Sequence, residues 1–451
     1  MTVDTTNFEG WKKFRLGDIV KIIGGGTPKT SEENYWGGDI PWLTPRDLSK
    51  AKNEEKYVSF GERNISASGL ANSSAKLLPK DAVLLTTRAP IGYLRIAKNP
   101  IATNQGFKNL VCDKNFVLPE FLYYLLLHNV EYLKSVGVGT TFAEISGSAL
   151  GKLEFYIPSI DVQEKIIENL SPIDDKIELN RRMNATLEEM AQAIFKEWFV
   201  DFNFPGATDE FVDSALGPIP IGWETQPIGE VFDFVIGGDW GDEIQQDDSQ
   251  ILCNVVRGTD LPGIGLGSID KIPKRYISSR RLLTRELISN DIVFEISGGS
   301  TNQSTGRNFQ FSKKILRLFS EPVVPTSFCR LIRINEEIMS HYIGALLTYF
   351  YDTGEAWDYQ VQSTGIANFQ FKDFCKRKLI VIPPKDILLK YSEIKKIIQN
   401  ITGVLAKNNL TLINLRDDLL RKFFDIKLDK VHDIIDSNVS ICIMGKGGKN
   451  G

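Results

Sequence analysis

Loops rich in hydrogen-bond donors are the stretches of this 451-residue sequence whose residue types could do chemistry. Lysine and arginine can hold phosphates or read guanine, asparagine and glutamine suit adenine, and glycine lets a backbone approach a ligand closely. Turn chemistry and solvated charge explain any single loop better than ligand contact does, so the joint pattern in both halves carries the interpretation. In the first half the candidate nucleic-acid contacts are Thr27, Lys29, Trp36, Arg46, Thr87, Arg88, Asn104, Gln105 and Lys108.

The second half has its own donor-rich loops around the basic segment KIPKRYISSRRLLTR, residues 271–285. The chain has a net charge of −4, which does not by itself indicate nucleic-acid binding, so we expect local patches to bind phosphate. In this half the candidate contacts are Arg257, Lys274, Arg275, Arg280, Arg281, Ser297, Thr301, Gln303 and Arg307.

Known catalytic motifs are missing from the sequence. The glycine runs at 24–28 and 297–300 lack the GxxxxGK[ST] spacing of a phosphate-binding loop, and neither GxSxG nor HExxH occurs. The five cysteines lie far apart without a CxxC pair, which argues against a zinc site and a disulfide framework. His128 and His341 fall in apolar segments, where packing is their expected role. We therefore predict a protein without catalytic, cofactor-binding or metal-binding residues.

Two long helical segments must position these loops. Apolar residues recur every 3.5 residues over 166–198 and again over 394–419, which is the pattern of a coiled-coil seam. Asn180 and Asn184 interrupt the first seam, and Asn408 interrupts the second. Aligning the two helices places Asn180 on Asn408, so we predict that these side chains meet in an antiparallel pair and fix its register.

Charge supports this pairing, because residues 159–205 carry 5 basic against 10 acidic residues and residues 384–430 carry 10 against 6. A helix of about 38 residues is roughly 57 Å long, so such a pair would hold two domains apart at its ends. The unfavoured alternative is two unrelated surface helices.

Internal similarity extends over nearly the whole sequence: Gly10-Trp11 matches Gly222-Trp223, and Asp47-Leu48 matches Asp260-Leu261. We predict an α+β fold in which two similar domains of mixed strands and helices are separated by an antiparallel pair of long coiled-coil helices, with an internal pseudo-two-fold repeat. The predicted divisions are a first domain at 1–158, a first helix at 159–203, a second domain at 204–383 that begins with a linker at 204–222, a second helix at 384–430 and a flexible tail at 431–451.

The sequence contains no run of about 18 apolar residues, and its polar start does not look like a secretory signal. We therefore expect an intracellular, cytoplasmic protein without a membrane partner.

Several stretches of the sequence resemble the specificity subunits of type I restriction-modification systems. The resemblance covers about residues 8–428. It is carried by GGGTPKT, YWGGDIPWLTPRDL, LLPKDAVLLTTRAPIGYL, ATNQGFKNL, GTTFAEISGSAL and IPSIDVQEKI in the first half, and by GPIPIGW, NVVRGTDLP and IVFEISGGS in the second.

The resemblance implies two target-recognition domains that read a bipartite, asymmetric sequence of double-stranded DNA, with the helices as a spacer. It implies that the chain is not an enzyme. Two modification subunits, which bind S-adenosylmethionine and methylate adenine, would pack on the helices, and two restriction subunits, which use ATP and Mg, would join them. A modification-only or phage-defence methyltransferase, or an adaptor that does not bind DNA, are the alternatives left open.

One departure from the family concerns the entry to each helix, which tends to read PP-L-x-x-Q. Pro158 and Gln163 keep part of this pattern in the first half, whereas Pro383-Pro384 is followed by KDILLK without a glutamine. The contact of the second helix with a modification subunit is therefore less well supported than that of the first.

Overall fold

A computed structural model of the chain describes residues 10–50, 55–138, 143–299, 303–363 and 366–424. The chain divides into two compact units. The first contains residues up to Glu178 and from Leu412 onwards, and the second contains Leu179–Thr411. The predicted tail at 431–451 lies outside the described residues.

The first unit contains an α+β domain, which we call the first domain. Its strands are β1 (Lys12–Arg15), β2 (Val20–Gly24), β3 (Trp36–Leu43), β4 (Tyr57–Val58), β5 (Arg63–Ile65), β6 (Val83–Thr87), β7 (Ile91–Ala97), β8 (Ala102–Thr103), β9 (Phe107–Cys112) and β10 (Glu154–Ile157). Its helices are α1 (Leu16–Ile19), α2 (Pro45–Lys50), α3 (Ala67–Ala71), α4 (Pro119–His128), α5 (Val130–Val136) and α6 (Gly147–Lys152). Helices α4 and α5 meet at Asn129.

The second unit contains the second domain. Its strands are β11 (Phe211–Ser214), β12 (Gly217–Pro220), β13 (Glu224–Pro227), β14 (Phe234–Gly237), β15 (Gln250–Val256), β16 (Lys274–Ser278), β17 (Ile292–Glu295), β18 (Ser297–Gly299), β19 (Asn308–Gln310), β20 (Val323–Pro325), β21 (Cys329–Arg333), β22 (Gln360–Ser363), β23 (Ile366–Phe369) and β24 (Leu379–Ile382). Its helices are α8 (Leu261–Ile264), α9 (Ser279–Arg285), α10 (Lys313–Leu316), α11 (Glu337–Asp352) and α12 (Phe371–Arg377). The long helices are α7 (Ile160–Phe199) and α13 (Lys385–Phe424), and each runs from one unit into the other.

Both domains use the same strand order, so the predicted α+β fold and its internal repeat are confirmed. The order β2-β9-β6-β7 in the first domain corresponds to β14-β21-β17-β19 in the second, and β5-β3-β8 corresponds to β16-β15-β20. In each of these two three-stranded sheets the middle strand has an antiparallel and a parallel neighbour. The antiparallel pair β1-β10 likewise corresponds to β13-β24.

Apolar burial explains why these strands form. Every residue of β6 is buried, as expected of a central strand covered on both faces. The core of the first unit also contains α4 and, from α13, Leu420 and Phe423. In the second unit, α11 and Phe195 of α7 belong to one large core.

The expected linker at 204–222 is largely structured. It contains the β11-β12 hairpin, and the Phe204 ring lies 5.1 Å from the ring of Trp223. Because Ile219 and Trp223 are buried in the core of the second unit, the segment is part of the second domain.

The first coiled-coil seam is placed as predicted. Within the second unit, Asn180, Asn184 and Ala191 of α7 are buried. The contacts of Asn180 with Asn409 and of Phe195 with Tyr391 run in opposite directions along the two helices, so α7 and α13 are antiparallel in this unit.

The prediction for the second seam is wrong by one residue near the middle of the seam. The Asn180 Nδ2 atom donates a hydrogen bond to Oδ1 of Asn409 at 2.9 Å, whereas Asn408 is exposed. Ile401 and Leu415, which the 3.5-residue repeat places in the seam, are 40% and 46% exposed. In the second unit α13 packs against the second domain as well as α7, so its buried surface is wider than one seam and follows the 3.6-residue turn.

Gln163 has a role inside the first unit. Its side chain is fully buried, accepts a hydrogen bond from the Leu118 amide and donates to the carbonyls of Phe116 and Pro158. Leu388, the fourth residue of α13 as Gln163 is of α7, is buried in an apolar core instead. Because Gln163 bonds within its own chain, the absence of a glutamine at the equivalent position of α13 is not evidence about contact with a modification subunit.

Candidate nucleic-acid interface

Two candidate loops of the first domain meet because β2 and β9 are neighbouring strands. The Gly26 amide donates to the carbonyl of Thr103 at 2.8 Å, and a Cβ atom on Gly25 would lie 1.9 Å from the carbonyl oxygen of Asn104. Only glycine permits this approach. The Thr27 hydroxyl then donates to Oε1 of the exposed Gln105 at 2.5 Å.

Trp36 is part of a stacked cluster at the edge of the first domain. Its indole N–H donates to the carbonyl of Lys29 at 3.1 Å, and its ring meets that of Trp42 edge to face at 5.1 Å. The guanidinium of Arg63 lies 3.5 Å from the Trp36 ring centroid, a cation–π contact. The sequence interpretation missed Arg63, which is exposed and reaches this place through the pairing of β3 with β5.

Equivalent turns follow β3 and β15. The amide of Thr44 donates to the carboxylate of Asp47 at 2.6 Å, and the amide of Arg257 donates to that of Asp260 at 2.8 Å. In the first domain this turn leaves Arg46 exposed, and Arg46 forms no ion pair within the described part of the chain. In the second domain Asp260 also binds the guanidinium of Arg257 through two hydrogen bonds, so Arg257 stabilises the turn.

Glu144 joins two of the predicted cations of the first domain. Its carboxylate lies 3.5 Å from the guanidinium of Arg88 and 3.5 Å from the ammonium group of Lys108. Glu144 and Arg88 are both partly exposed, so the three side chains form a surface cluster that a phosphate could enter.

Thr87 and Asn104 both have polar groups that form hydrogen bonds with the backbone. Thr87 is fully buried, and its backbone amide and carbonyl pair with Gly106 and Ile145. Asn104 accepts a hydrogen bond from the amide of Gly106 at 2.8 Å, an Asx turn that shapes the loop. The Thr87 side chain is thus inaccessible, whereas Asn104 is partly exposed and its contact with nucleic acid stays a prediction.

The basic segment of the second domain is interleaved with carboxylates from other loops. Lys274 binds Glu321 at 2.8 Å, and Arg281 lies 3.2 Å from Asp239. The hydrogen bonds from Lys274 and Ser320 lower the pKa of Glu321 to about 2. By contrast, Arg280 is exposed on α9 and forms no ion pair in the described ranges.

Arg275 repeats the cation–π arrangement of Arg63. Its guanidinium is 4.8 Å from the ring centroid of Trp240 and 2.9 Å from the carboxylate of Glu243. In each domain, therefore, an arginine lies over an indole beside the three-stranded sheet.

Arg307, a predicted contact, forms a largely buried ion pair with Glu295, and its contact with nucleic acid stays a prediction. Its guanidinium makes two hydrogen bonds to the carboxylate of Glu295, at 2.9 and 2.5 Å, and the Glu295 side chain is only 2% exposed. Removing one partner of such a buried pair typically costs about 3–5 kcal/mol because a buried charge is left uncompensated. Ser297 is likewise occupied, donating to Asn368 at 2.9 Å, whereas Gln303 is exposed and Thr301 lies outside the described residues.

The strand register makes Arg330 of the second domain the counterpart of Lys108 in the first domain. Lys108 lies opposite Gly24 and Leu85 on its two neighbouring strands, and Arg330 lies opposite Gly237 and Phe294. Arg330 forms no ion pair with any described residue. The internal repeat was the signal that could have identified it, had the repeat been extended to the strand register.

The four cysteines of the described residues are buried or partly buried. Burial raises the thiol pKa of Cys112 and Cys329 to about 12 and that of Cys253 and Cys375 to about 11, so these four are protonated at neutral pH. Within the described ranges no group of His, Cys, Asp and Glu has the geometry of a metal site. No helix of the described part is long and apolar enough to span a membrane.

Comparison with known proteins gives one family. Residues 8–189 match the family described as the type I restriction modification DNA specificity domain. The chain is 35% identical over 433 residues to the specificity subunit of the type I restriction enzyme MjaIX of Methanocaldococcus jannaschii, covering 93% of this chain and 94% of that protein. It is 47% identical over 201 residues to the specificity subunit of the type I restriction enzyme HindI of Haemophilus influenzae, covering 43% of this chain and 41% of that subunit.

A solved structure has a similar fold. The crystal structure of the S subunit of a type I restriction-modification system from M. genitalium aligns with 93% of this chain and 97% of its own, with a TM-score of 0.50. At 15% identity this likeness concerns the fold alone.

Proposed function

The chain belongs to the family of specificity subunits of type I restriction enzymes, and on that premise we propose that each of its two domains reads one half of a split, asymmetric DNA sequence. As a specificity subunit it is a non-catalytic component that recognises the DNA target. The proposal concerns how the two domains divide this task and which residues perform it.

The observation that carries the proposal is one sheet framework with different polar side chains at equivalent places. After β3 the turn is Thr44-Pro45-Arg46-Asp47, and after β15 it is Arg257-Gly258-Thr259-Asp260. Strand β9 carries Lys108 where β21 carries Arg330. Side chains read base identity, so two domains that share a framework but differ in their polar side chains suit two unlike half-sites.

Exposed or partly exposed cations and amides are the residues we assign to DNA contact. Lys and Arg would hold phosphates, and Gln105 and Gln303 can pair with base edges. Buried or doubly hydrogen-bonded candidates are left out. The assigned set is Lys29, Arg46, Arg63, Arg88, Gln105 and Lys108 in the first domain and Lys274, Arg280, Arg281, Gln303 and Arg330 in the second.

DNA binding by the assembled complex at several salt concentrations tests this assignment. Removing one cation that binds a phosphate lowers the slope of log K against log salt by about 0.9. Arg46→Ala and Arg280→Ala should each weaken binding and reduce the slope by about this amount. An unchanged affinity and slope in both variants would contradict the assigned surface.

We further propose that two modification subunits and two restriction subunits assemble on this chain. Leu179, Met183 and Met190 of α7 are 49%, 41% and 52% exposed and follow one face of the helix. Methionine side chains adapt well to a partner surface. S-adenosylmethionine would bind the modification subunits, and ATP and Mg the restriction subunits.

A further inference from the structure

Asn409 of α13 makes hydrogen bonds in two directions. Its Oδ1 atom accepts from Asn180 of α7 at 2.9 Å, and its Nδ2 atom donates to the carbonyl of Leu266 in the second domain at 3.1 Å. Because the side chain is fully buried, these hydrogen bonds do not compete with water. One amide therefore joins both helices to the loop that follows α8.

The same loop is held from α7. The Asn184 Nδ2 atom donates to the carbonyl of Gly265 at 2.9 Å, and the Asn184 side chain is buried. Two consecutive carbonyls, at 265 and 266, thus accept amide hydrogen bonds from different long helices.

Gly267 brings the loop backbone onto α13. Its φ is +82°, and an added Cβ atom would lie 2.3 Å from the carbonyl oxygen of Ala406 and 3.2 Å from the amide nitrogen of Leu410. A side chain there would both strain the backbone and push the loop away from the helix. The glycine at position 267 is therefore explained by a backbone contact with α13.

The contact continues along the same face of α13. The Gln399 amide donates to Oε1 of Gln310 at 3.0 Å, and a Cβ atom on Gly403 would lie 2.7 Å from the Cβ of Lys314. Positions 399, 403, 406 and 410 follow the helical repeat, so one stripe of α13 faces the second domain.

We propose that Asn184, Asn409 and Gly267 are positioning residues that fix the orientation of the second domain on the helices, and thereby the gap between the two DNA half-sites that the complex accepts. This inference rests on the proposed reading of a split sequence. If the second domain could change its orientation on the helices, its DNA-contacting residues would take variable positions. A loosened contact should therefore broaden the range of gaps that the complex accepts.

The test uses the complete complex with its modification subunits and a series of DNA duplexes. The duplexes contain both half-sites and a gap from two base pairs shorter to two longer than the natural one. Asn409→Leu, Asn184→Ala and Gly267→Ala are compared with Asn408→Leu, a matched change at the exposed neighbouring asparagine. Asn184→Ala leaves the Asn180–Asn409 hydrogen bond in place and serves where Asn409→Leu lowers the yield of folded chain.

The parent and Asn408→Leu should methylate the natural gap with the same preference over its neighbours. In the three positioning variants that preference should fall by about five- to tenfold, the factor that one buried hydrogen bond provides. Variants that unfold at lower temperature but keep the parent's gap preference would overturn the inference, as would an equal fall in Asn408→Leu. If the parent methylates no split target, the proposed function fails, and the inference fails with it.

Discussion

The Nδ2 atom of Asn180 lies 2.9 Å from Oδ1 of Asn409, and both side chains are fully buried in the second unit. Asn408, the partner that the 3.5-residue repeat selects, is exposed. A buried asparagine layer between the helices is therefore present, with a partner one residue further along α13. Because Asn409 also binds Leu266, the layer belongs to the domain contact as much as to the helix pair.

A double-mutant cycle tests this pairing. Alanine at Asn180 and Asn409 should show a coupling energy of about 0.5–1.5 kcal/mol, because the two single changes remove the same buried hydrogen bond. The matched cycle of Asn180 with Asn408 should give a coupling near zero. Urea denaturation of the four variants in each cycle measures it, and a larger coupling with Asn408 would restore the register read from the sequence.

Neutralising Glu144 should strengthen DNA binding. The variant Glu144→Gln removes the carboxylate that lies 3.5 Å from both Arg88 and Lys108, so both cations become available to phosphate. Because the net charge of the cluster rises by one, the slope of log K against log salt should steepen by up to about 0.9. Stability should change by less than about 1 kcal/mol, because Glu144 and Arg88 are partly exposed and both ion pairs are as long as 3.5 Å.

The control for this change is Glu131→Gln, which removes the same charge from the exposed pair with Lys134 on α5. It should leave the salt slope unchanged. If Glu144→Gln weakens binding, Glu144 positions the two cations for DNA rather than competing with it.

His341 should make the chain less stable in acid. Its Nδ1 atom lies 2.8 Å from the hydroxyl of Ser392. Burial lowers its pKa to about 4, with Lys395 and Lys396 acting in the same direction and Glu337 opposing them. An unfolded histidine has a pKa near 6.5, so between pH 6.5 and 4 the unfolded chain binds more protons. The free energy of unfolding therefore falls as pH falls, by about 2 kcal/mol from pH 7 to pH 5.

Urea denaturation of the parent and of His341→Gln at both pH values measures this contribution. The carboxylates titrate in both proteins, so only the difference between them reports His341. Equal pH dependence in the two proteins would contradict a buried, neutral histidine.

The exposed stripe on α7 should bind the modification subunit. Met183→Glu and Met190→Glu place a charge on that stripe and should weaken copurification of the subunit by about tenfold or more, since a charged group would have to be buried. Ala185→Glu, an equal charge at an exposed position off the stripe, should not. Full recovery of the complex with both methionine variants would place the partner on another surface.

Local periodicity predicted the helix α7 and the positions buried along it. The repeat over 166–198 lies within α7, in which Asn180, Asn184 and Ala191 are buried. The position of Asn409 could not be predicted in this way, because α13 faces both α7 and the second domain. A sequence repeat does not reveal the Leu266 carbonyl that accepts the second hydrogen bond.

Residue type alone separated the contact candidates poorly. Arg307 and Arg280 both look like free cations in polar loops, but a carboxylate twelve residues earlier, Glu295, takes both N–H groups of Arg307. Thr87 lies in a polar tripeptide and is nevertheless the buried end of β6. Arg330, by contrast, was not among the candidates. Its correspondence to Lys108 became evident only from the strand register.

Single-molecule sequencing of adenine methylation, in cells that express this chain with its modification subunit, tests the central claim most directly. Two unlike half-sites at one fixed gap, each with a methylated adenine, are the result expected of two different readers on one framework. Deleting this chain should abolish the pattern. Methylation that persists without the chain, or that marks a single continuous motif, would contradict the reading of a split target by its two domains.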